Sequence, residues 1–351
     1  MCQLTLTTTC WYEKAIEHTV HHNSRRHLSK DGLNVVVSVK QQEVFRVPSI
    51  NIEGIVTFGY MGASPGLMKL CSDSGISLTF LSPNGRFISR VQGTIHGNVL
   101  LRKAQYALSD DEEWSLHLAK LMIAAKMQNY RNILRRFIRD YGACNEVDNA
   151  VRMLELNKRN AFKAKDKSEL IGFEGIASNA YFEVLPKLII NQKESFPFNG
   201  RNRRPPKDAV NAMLSLAYTL IANDCTAALE TVGLDPYVGF LHKLRPGRTS
   251  LALDMMEEFR AYLGDRFVLS LINKRQITSK DFLYQGDNGV IMTDNGRKTF
   301  ITAWQNRKRE TLIHPYLNEK VEVGLLPYVQ AMMLARYIRN DIDDYPVFLI
   351  K

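Results

Sequence analysis

The stretch Ser109-Asp110-Asp111-Glu112, which runs on through Glu113-Trp114-Ser115-Leu116 to Tyr141, marks a change in the local pattern of the chain. Ser109 and Glu112 match a capping box, in which two side chains satisfy the free backbone N–H groups at a helix start. Apolar residues then recur at helical spacing at Leu118, Leu121, Ala125, Ile133, Leu134, Phe137 and Ile138, opposite a basic face of Lys126, Arg131, Arg135, Arg136 and Arg139. We therefore predict a long helix that ends near Tyr141.

Upstream of this helix, from about Leu33 to Arg102, the pattern is typical of strands. Val35, Val37 and Val39 lie at alternate positions, as do Ile76, Leu78 and Phe80, and a period of two indicates a half-buried strand. Asn84-Gly85 between two apolar runs predicts a hairpin. Ser64-Pro65 predicts a helix that runs to about Ser74, because proline favours the first helical position.

Downstream, the patterns are mostly helical. We predict helices over 146–165, 168–190 and 207–232, a short helix capped by Asp235-Pro236 that ends near His242, a small hairpin over 286–296 with turns at Asp287-Asn-Gly289 and Asn295-Gly296, and a last helix from about Leu326 to Asn340. This order indicates an α+β fold: a small N-terminal β-rich domain over residues 1–103 and a larger all-α domain over residues 104–351.

Composition narrows the class of protein. The 351 residues carry a net charge of +10, which favours a polyanionic partner, although a basic surface that only prevents aggregation explains the same total. Five scattered cysteines without a Cys-x-x-Cys pair argue against a disulfide framework or a structural zinc site and fit a reducing cytoplasm. The longest apolar stretch, Ala209 to Ala222, contains polar residues and indicates a core helix, so we expect no membrane association.

Acids cluster after the segment Gly233 to His242. Asp254 and Glu257 are three residues apart and share a helix face, with Glu258 beside them and apolar residues around them. Crowded, half-buried carboxylates repel one another, and a divalent cation would relieve the repulsion. Oxygen ligands with one imidazole suit Mn²⁺ or Mg²⁺. A solvated helix face with ordinary surface ion pairs explains the same pattern.

Glu174 is a second unusual acid. It lies in Leu170-Ile-Gly-Phe-Glu-Gly-Ile-Ala, where apolar residues on most sides predict a buried helix. Gly172 and Gly175 flank it at a cost of about 1 kcal/mol each relative to alanine, which indicates the close approach of another group. A buried salt bridge to an arginine is the alternative explanation of this glutamate.

These segments together resemble the CRISPR adaptation integrase family, and most closely the branch of the compact type I-C systems. The resemblance rests on Glu174-Gly175, on Gly233 to His242 and on Gly247 to Arg260. N-terminal blocks agree with it: Ile52 to Tyr60, Gly75 to Ser82 and Gly97 to Arg102. It covers roughly residues 29–351. Met1 to His27 departs from the family pattern, because no opening strand is recognisable there.

The resemblance implies a metal-dependent DNA endonuclease and integrase, which inserts short DNA spacers into a CRISPR array by 3′-hydroxyl transesterification. It implies catalytic residues Glu174, His242, Asp254 and Glu257, with Mg²⁺ or Mn²⁺ held by Glu174, His242 and Glu257. The implied partners are double-stranded DNA (spacer precursor and repeat target), a second copy in a homodimer, and the small second protein of the adaptation module. The N-terminal domain would then serve dimerisation and partner binding, and the helical domain catalysis.

Basic residues supply candidate DNA contacts. Arg201, Arg203 and Arg204 lie in one loop, which is either a flexible solvated loop or a grip on phosphates, and Lys243, Arg245 and Arg248 directly follow His242. Two other functions fit the same residues. The protein could be a stand-alone metal-dependent nuclease that acts on branched or repair intermediates, or a DNA-binding scaffold whose acids are structural.

Overall fold

The computed structural model describes residues 3–6, 26–52, 54–58, 61–81, 87–91, 99–202, 205–286 and 289–350. Backbone contacts divide the chain into two units: Met1–His96 with Met292–Gln305, and Gly97–Ile291 with Asn306–Lys351. The first unit is rich in strands and the second is mostly helical, so the predicted α+β class is confirmed. The assignment of residues 1–103 and 104–351 as functional domains stays a prediction.

Two four-stranded sheets form most of the first unit. One has the order β1-β5-β7-β8 and the other β4-β3-β2-β6. The strands are β1 Gln3–Leu6, β2 Arg26–Asp31, β3 Asn34–Val39, β4 Gln42–Pro48, β5 Gly54–Phe58, β6 Gly62–Ala63, β7 Ser77–Leu81 and β8 Phe87–Val91. β1 pairs antiparallel with β5, so the opening segment that departs from the family pattern contains an edge strand.

Helix α1, over Pro65–Asp73, connects the parallel strands β5 and β7. It begins as predicted, because the Ser64 hydroxyl accepts the N–H of Leu67 at 3.2 Å. The predicted alternation of β3 is present only in part. Val35 and Val37 are buried in an apolar cluster with Leu28, Leu67 and Leu78, but Val36 between them is buried as well and Val39 is half-buried. The predicted Asn84-Gly85 turn lies outside the described residues, between two strands that pair antiparallel.

The second unit is built from helices. They are α2 Val99–Asp110, α3 Glu112–Tyr141, α4 Asn145–Lys163, α5 Lys167–Val184, α6 Ala209–Thr231, α7 Ser250–Met256, α8 Arg266–Asn273, α9 Asp294–Arg309 (which spans the boundary between the units) and α10 Leu326–Ile338. Short strands form two further pairs, β9 Phe282–Tyr284 with β10 Val290–Met292 and β11 Thr311–Ile313 with β12 Lys320–Glu322. The first pair, over 282–292, overlaps the small hairpin predicted over 286–296 but lies further upstream.

Four local predictions are wrong. α3 is capped by Asp111, whose carboxylate accepts the N–H of Trp114, and Ser109 belongs to the preceding helix α2. That helix begins at Val99, where strand structure was expected, and its buried residues Leu101 and Gln105 are four residues apart, as on one face of a helix. Asn295-Gly296 lies inside α9 and forms no turn. The segment from Asp235 to His242 is irregular, for a reason that the geometry of Asp254 explains.

Helix α6 is the one helix among the described residues that is long and apolar enough to cross a membrane by length and composition. Most of its side chains are buried within the second unit, including Val210, Met213, Leu214, Ala217 and Ile221. The burial agrees with the prediction of a core helix.

Candidate active site

Lys126 lies on the buried face of α3, one turn from Met122 and one turn from Tyr130. Its side chain is only 5% exposed. The ammonium contacts two carboxylates from other helices: Glu174, and Glu257 at 2.8 Å between Nζ and Oε2. Lys126 was expected on a basic face of α3, and that prediction is wrong because two acids compensate its charge inside the protein.

Glu174 lies in the middle of α5, and its carboxylate accepts hydrogen bonds from Lys126 and from the Ser178 hydroxyl. Burial raises the pKa of Glu174, but the Lys126 ammonium outweighs it, so the pKa is lowered and the carboxylate stays ionised. The alternative of a buried salt bridge is therefore present in part, with a lysine in place of the expected arginine.

The face of α5 beside Glu174 is open. Ile171 and Ile176 are 46% and 48% exposed, so the prediction that apolar residues bury this helix on most sides is wrong. A Cβ atom added at Gly172 or Gly175 would meet no atom within 4 Å. Packing inside the chain therefore does not require either glycine, although each costs about 1 kcal/mol of helix stability.

Glu257 directly follows α7 and is almost completely buried. Two cations lie against its Oε2 atom, the Lys126 ammonium at 2.8 Å and the Arg260 guanidinium nitrogen Nε at 3.0 Å. Burial raises the pKa of Glu257, but Arg260, Lys126 and the nearby His242 lower it to about 2. Glu257 is therefore an anion held inside the protein by neighbouring cations.

The backbone after Glu257 opens into a π-helical turn over Arg260–Asp265, a distortion that often occurs at functional sites. The turn brings the Arg260 guanidinium over the Tyr218 ring, 4.8 Å from its centroid. The Tyr218 hydroxyl donates to Asp265 at 2.5 Å. This layer supports Arg260 from behind and fixes the second cation of Glu257.

Asp254 organises the segment that carries His242. Its buried carboxylate accepts the backbone N–H groups of Phe240, Leu241 and His242 at 2.6, 2.9 and 3.0 Å. It also bonds His242 Nδ1 at 2.5 Å. The three N–H groups point at this carboxylate rather than along a helix, which explains why the predicted helix over Asp235–His242 does not form. A Cβ at Gly239 would lie 2.6 Å from Asp254 Oδ2, so the loop needs this glycine.

The structure thus brings Glu174 and Glu257 together around Lys126, and His242 together with Asp254. Two comparisons with known proteins extend this result. The model of the family "CRISPR associated protein Cas1" matches residues 20–306. A protein of Chlorobaculum tepidum named CRISPR-associated endonuclease Cas1 1 is 48% identical over 326 residues, which cover 92% of this chain and 95% of that protein.

This chain belongs to the Cas1 family. A second relative, CRISPR-associated endonuclease Cas1 2 of Rhodospirillum rubrum, is 46% identical over 331 residues, which cover 92% of this chain and 95% of that protein. The resemblance found in the sequence and the predicted enzyme class are therefore confirmed. The assignment to the type I-C branch stays a prediction.

Solved structures share the fold. A Cas1 protein of Thermotoga maritima has a TM-score of 0.78 at 24% identity, over 93% of this chain and 97% of that chain. A casposase bound to an integration product has a TM-score of 0.78 at 24% identity, over 91% of this chain and 89% of that chain. A Cas6-RT-Cas1–Cas2 complex has a TM-score of 0.77 at 21% identity, over 93% of this chain and 35% of that chain.

The Cas1 site has donor groups that suit a hard divalent cation. Glu174 and Glu257 supply carboxylate oxygens, and His242, whose Nδ1 is held by Asp254, has Nε2 to bind a metal, as metal-binding histidines commonly do. Oε2 of Glu257 is buried without a well-aligned hydrogen bond, although two cations lie within 3.0 Å of it. In the described part of the chain, no three such ligands are grouped around one point, and Lys126 lies between the two acids. The donor set fits a metal that displaces this ammonium.

The predicted DNA-contacting residues fall into two groups. Lys243 and Arg245 are exposed and Arg248 is half-buried, so this part of the loop after His242 is accessible to phosphates. Arg201 bonds Asn211 Oδ1 at 2.7 Å and the Ser215 hydroxyl at 3.1 Å, so it stabilises the fold around its own loop. Arg203 and Arg204 lie outside the described residues.

Lys126 and Arg260 were not predicted as site residues from the sequence. The signal for Lys126 was present, because it continues a buried stripe with Leu118, Met122 and Tyr130 at steps of four residues. A lysine in such a stripe requires a buried acid. Arg260 carried a weaker signal, because arginine three residues after a glutamate is also the usual pattern of a surface ion pair.

Proposed function

We propose that this protein is a divalent-metal-dependent DNA endonuclease and integrase of the CRISPR adaptation module. One observation supports the proposal above all: Glu174 and Glu257 contact the same buried ammonium, and His242, whose charge acts on Glu257, is oriented by Asp254. In a Cas1 family protein, this cluster contains the oxygen and imidazole donors that a hard cation prefers.

Glu174, His242 and Glu257 would hold Mg²⁺ or Mn²⁺, which would polarise a phosphodiester oxygen and stabilise the charge that develops during displacement. Asp254 keeps the His242 ring in one orientation through the bond to Nδ1. Arg260 keeps Glu257 ionised, and the ionised carboxylate is the form that binds a cation. Asp254 acts in this scheme as the third acid of the site.

The reaction we propose is a transesterification. The 3′-hydroxyl of the incoming DNA attacks a phosphodiester of the repeat, its oxygen bonds to phosphorus, and the target strand's bond from phosphorus to its own 3′ oxygen breaks. The proton lost by the attacking hydroxyl is balanced by the proton taken up by the departing 3′ oxygen. Water replaces the hydroxyl in simple cleavage, so no side chain has to act as nucleophile.

DNA binding would use the exposed cations that follow His242. Lys243 and Arg245 are exposed beside the histidine and can contact phosphates on either side of the reacting one. The net charge of +10 favours the approach of DNA from a distance. Arg248 completes the proposed basic surface, Arg203 and Arg204 stay proposed DNA contacts from the sequence, and Arg201 contributes through the fold of its loop.

The partners we propose are those that the family resemblance implied: double-stranded DNA, a second copy of this chain and the small second protein of the adaptation module. Family membership and a fold shared with a chain from a Cas1–Cas2 complex support the last of these. Spacer precursor and repeat would be joined in two successive reactions at two sites. The scattered cysteines support a cytoplasmic location.

An integration assay tests the proposal. It combines the protein, its small partner, a short duplex with 3′-hydroxyl ends, a supercoiled plasmid that carries a repeat, and Mn²⁺ or Mg²⁺. We expect covalent joining that requires the metal, the 3′-hydroxyl and the partner. A duplex with 3′-dideoxy ends is the matched control. Metal-dependent cutting of branched DNA without joining would overturn the proposal in favour of a stand-alone nuclease.

A further inference from the structure

Four charged side chains form a neutral set at the site. Glu174 and Glu257 bring two negative charges, and Lys126 and Arg260 bring two positive charges, all linked by the ion pairs described above. Lys126 is the member shared by both acids, and both the Lys126 and the Glu257 side chains are at most 5% exposed. Solvent therefore does little to screen the acids from each other.

We propose that Lys126 is a positioning residue of this active site, which holds Glu174 and Glu257 together and weakens the binding of a divalent cation to them. The inference rests on the proposed function, because it takes the two acids as metal ligands. Lys126 thereby becomes a further residue of the site. Its removal should strengthen metal binding, whereas removal of a ligand weakens it.

Repulsion between the two acids is the reason why Lys126 is needed to hold Glu174 and Glu257 together. Glu174 and Glu257 come from segments that meet only through tertiary packing. Burial opposes the ionised form of both acids, and the charge of Glu257 opposes that of Glu174, although neighbouring cations lower the pKa of each. Lys126 supplies the one ammonium that contacts both carboxylates. Without it, Glu257 keeps Arg260 and Glu174 keeps the Ser178 hydroxyl, and the acids lose the bridge between them. Breaking one partner out of a buried ionic cluster is strongly destabilising.

Competition between the Lys126 ammonium and a metal ion for the same space is the reason why Lys126 weakens metal binding. A cation that contacts both carboxylates must occupy the space that the ammonium now fills, and it must overcome repulsion from a like charge a few ångströms away. Removal of Lys126 changes the charge of the four-residue set from neutral to −1. A divalent cation then gains attraction worth roughly a tenfold increase in affinity or more, even at an effective dielectric constant near that of a protein surface. Metal and lysine thus stabilise the same two acids in alternation.

The experiment measures thermal unfolding and Mn²⁺ binding without DNA. Lys126→Met removes the charge and keeps the length of the side chain. Its matched control is Lys158→Met, because Lys158 is a partly buried lysine that pairs with Glu155 at 2.9 Å on α4 and touches no proposed ligand. With a chelator present, we expect the melting temperature of Lys126→Met to fall by about 5 °C or more and that of Lys158→Met by much less.

Mn²⁺ should reverse the loss. The rise in melting temperature on addition of Mn²⁺ should be larger for Lys126→Met than for the wild type, and the half-saturating Mn²⁺ concentration should be at least about tenfold lower. The ligand variant Glu174→Gln should shift that concentration upward. An unchanged or higher half-saturating concentration in Lys126→Met, or a chelator-state stability equal to that of Lys158→Met, would overturn the inference.

If Lys126→Met does not fold, the double variant Lys126→Met/Glu174→Gln replaces it. This variant removes one acid together with the lysine, so it should fold and melt above the single variant, whereas a lysine needed only for packing would give no such rescue. Both readouts are independent of DNA joining. Absence of joining by the wild type would therefore refute the proposed function and leave the Lys126 measurements to be judged by themselves.

Discussion

Glu257 and Glu258 are neighbours in the chain, and both are buried, yet their surroundings are opposite. Glu257 contacts two cations, and its pKa is lowered to about 2 despite burial. Glu258 contacts only neutral donors, and burial raises its pKa to about 7. One acid is a permanent anion at the reactive side of α7, and the other is close to neutral on the opposite side.

The partners of Glu258 belong to the last residues of the chain. The Tyr345 hydroxyl donates to one carboxylate oxygen at 2.7 Å, and the Phe348 N–H donates to the other at 2.7 Å, together with the Gln330 amide at 2.9 Å. Asn129 of α3 continues this network, because its side-chain amide donates to the carbonyl groups of Glu258 and Phe348. Glu258 therefore anchors the C-terminal segment, and its neighbour serves the proposed chemistry.

Burial by itself does not mark an acid as catalytic. Glu257 and Glu258 are both buried, and they differ in whether their partners are cations or neutral hydrogen-bond donors. Lys126 and Arg260 keep Glu257 ionised, and an ionised Glu257 can exchange the Lys126 ammonium for a metal ion. Burial raises the pKa of Glu258 to about 7 although its hydrogen bonds act in the opposite direction, so this acid offers a metal less negative charge than Glu257 does. The following predictions test this difference.

The largest expected effect separates the two neighbours by activity. Glu257→Gln should reduce metal-dependent DNA joining by at least about 100-fold, because it removes a charged ligand. Glu258→Gln is the matched control and should keep joining within a few-fold of the wild type, since an amide can still satisfy the hydrogen bonds of the C-terminal segment. Equal losses of DNA joining in the two variants at saturating Mn²⁺ would show that the two acids do not differ in function.

Asp254 tests whether orientation of His242 matters as much as ligation. Asp254→Asn removes the negative charge of the carboxylate that accepts three backbone N–H groups and bonds Nδ1 of His242. We expect joining to fall about 10- to 100-fold at low Mn²⁺ and to recover in part as the concentration rises.

A metal titration of this variant separates the explanations. A loss that no Mn²⁺ concentration restores would point to proton transfer or DNA positioning by Asp254 instead. Wild-type behaviour at every concentration would remove Asp254 from the site.

Glu258 should make stability depend on pH. Its pKa is raised from 4.5 to about 7, chiefly by burial, so the folded protein binds this proton more tightly than the unfolded chain does. The free energy of unfolding should therefore fall as the pH rises from about 4.5 to about 7, by about 3 kcal/mol from this group. Glu258→Gln removes the titration.

Urea unfolding of both proteins at pH 4.5 and pH 8 measures the effect. The difference in free energy of unfolding between variant and wild type should move by about 3 kcal/mol in favour of the variant at the higher pH. If both proteins respond to pH alike, Glu258 is ionised in its network and the contrast with Glu257 disappears.

The smallest effect concerns the open face of α5. Gly175→Ala should raise the free energy of unfolding by about 0.5–1 kcal/mol, because a Cβ there meets no atom and alanine is the better helix former. Joining should slow at the same time, since the added methyl group lies beside Glu174 where we expect DNA to approach. Wild-type joining rates in this stabilised variant would show that nothing approaches α5 at this position.

Local pattern was sufficient for much of this protein. Helices such as α3, α6 and α10 were predicted within a few residues, because an apolar period of 3.6 and proline or acidic residues at a helix start are local properties. Glu174, Asp254 and Glu257 were proposed as site residues from their local spacing together with the family resemblance, and their roles stay predictions. The strand-to-helix order likewise determined the α+β class.

Only the tertiary structure decided which charges meet. Lys126 and Glu174 are 48 positions apart, and Glu258 and Tyr345 are 87 apart, so no periodicity connects them. The irregular segment before His242 follows from the same cause, because a carboxylate 12 to 14 residues downstream takes the N–H groups that a helix would have used. The sequence determined where acids and helices lie, whereas packing of distant helices determined which acid is an anion among cations and which one anchors the C-terminal segment with a raised pKa.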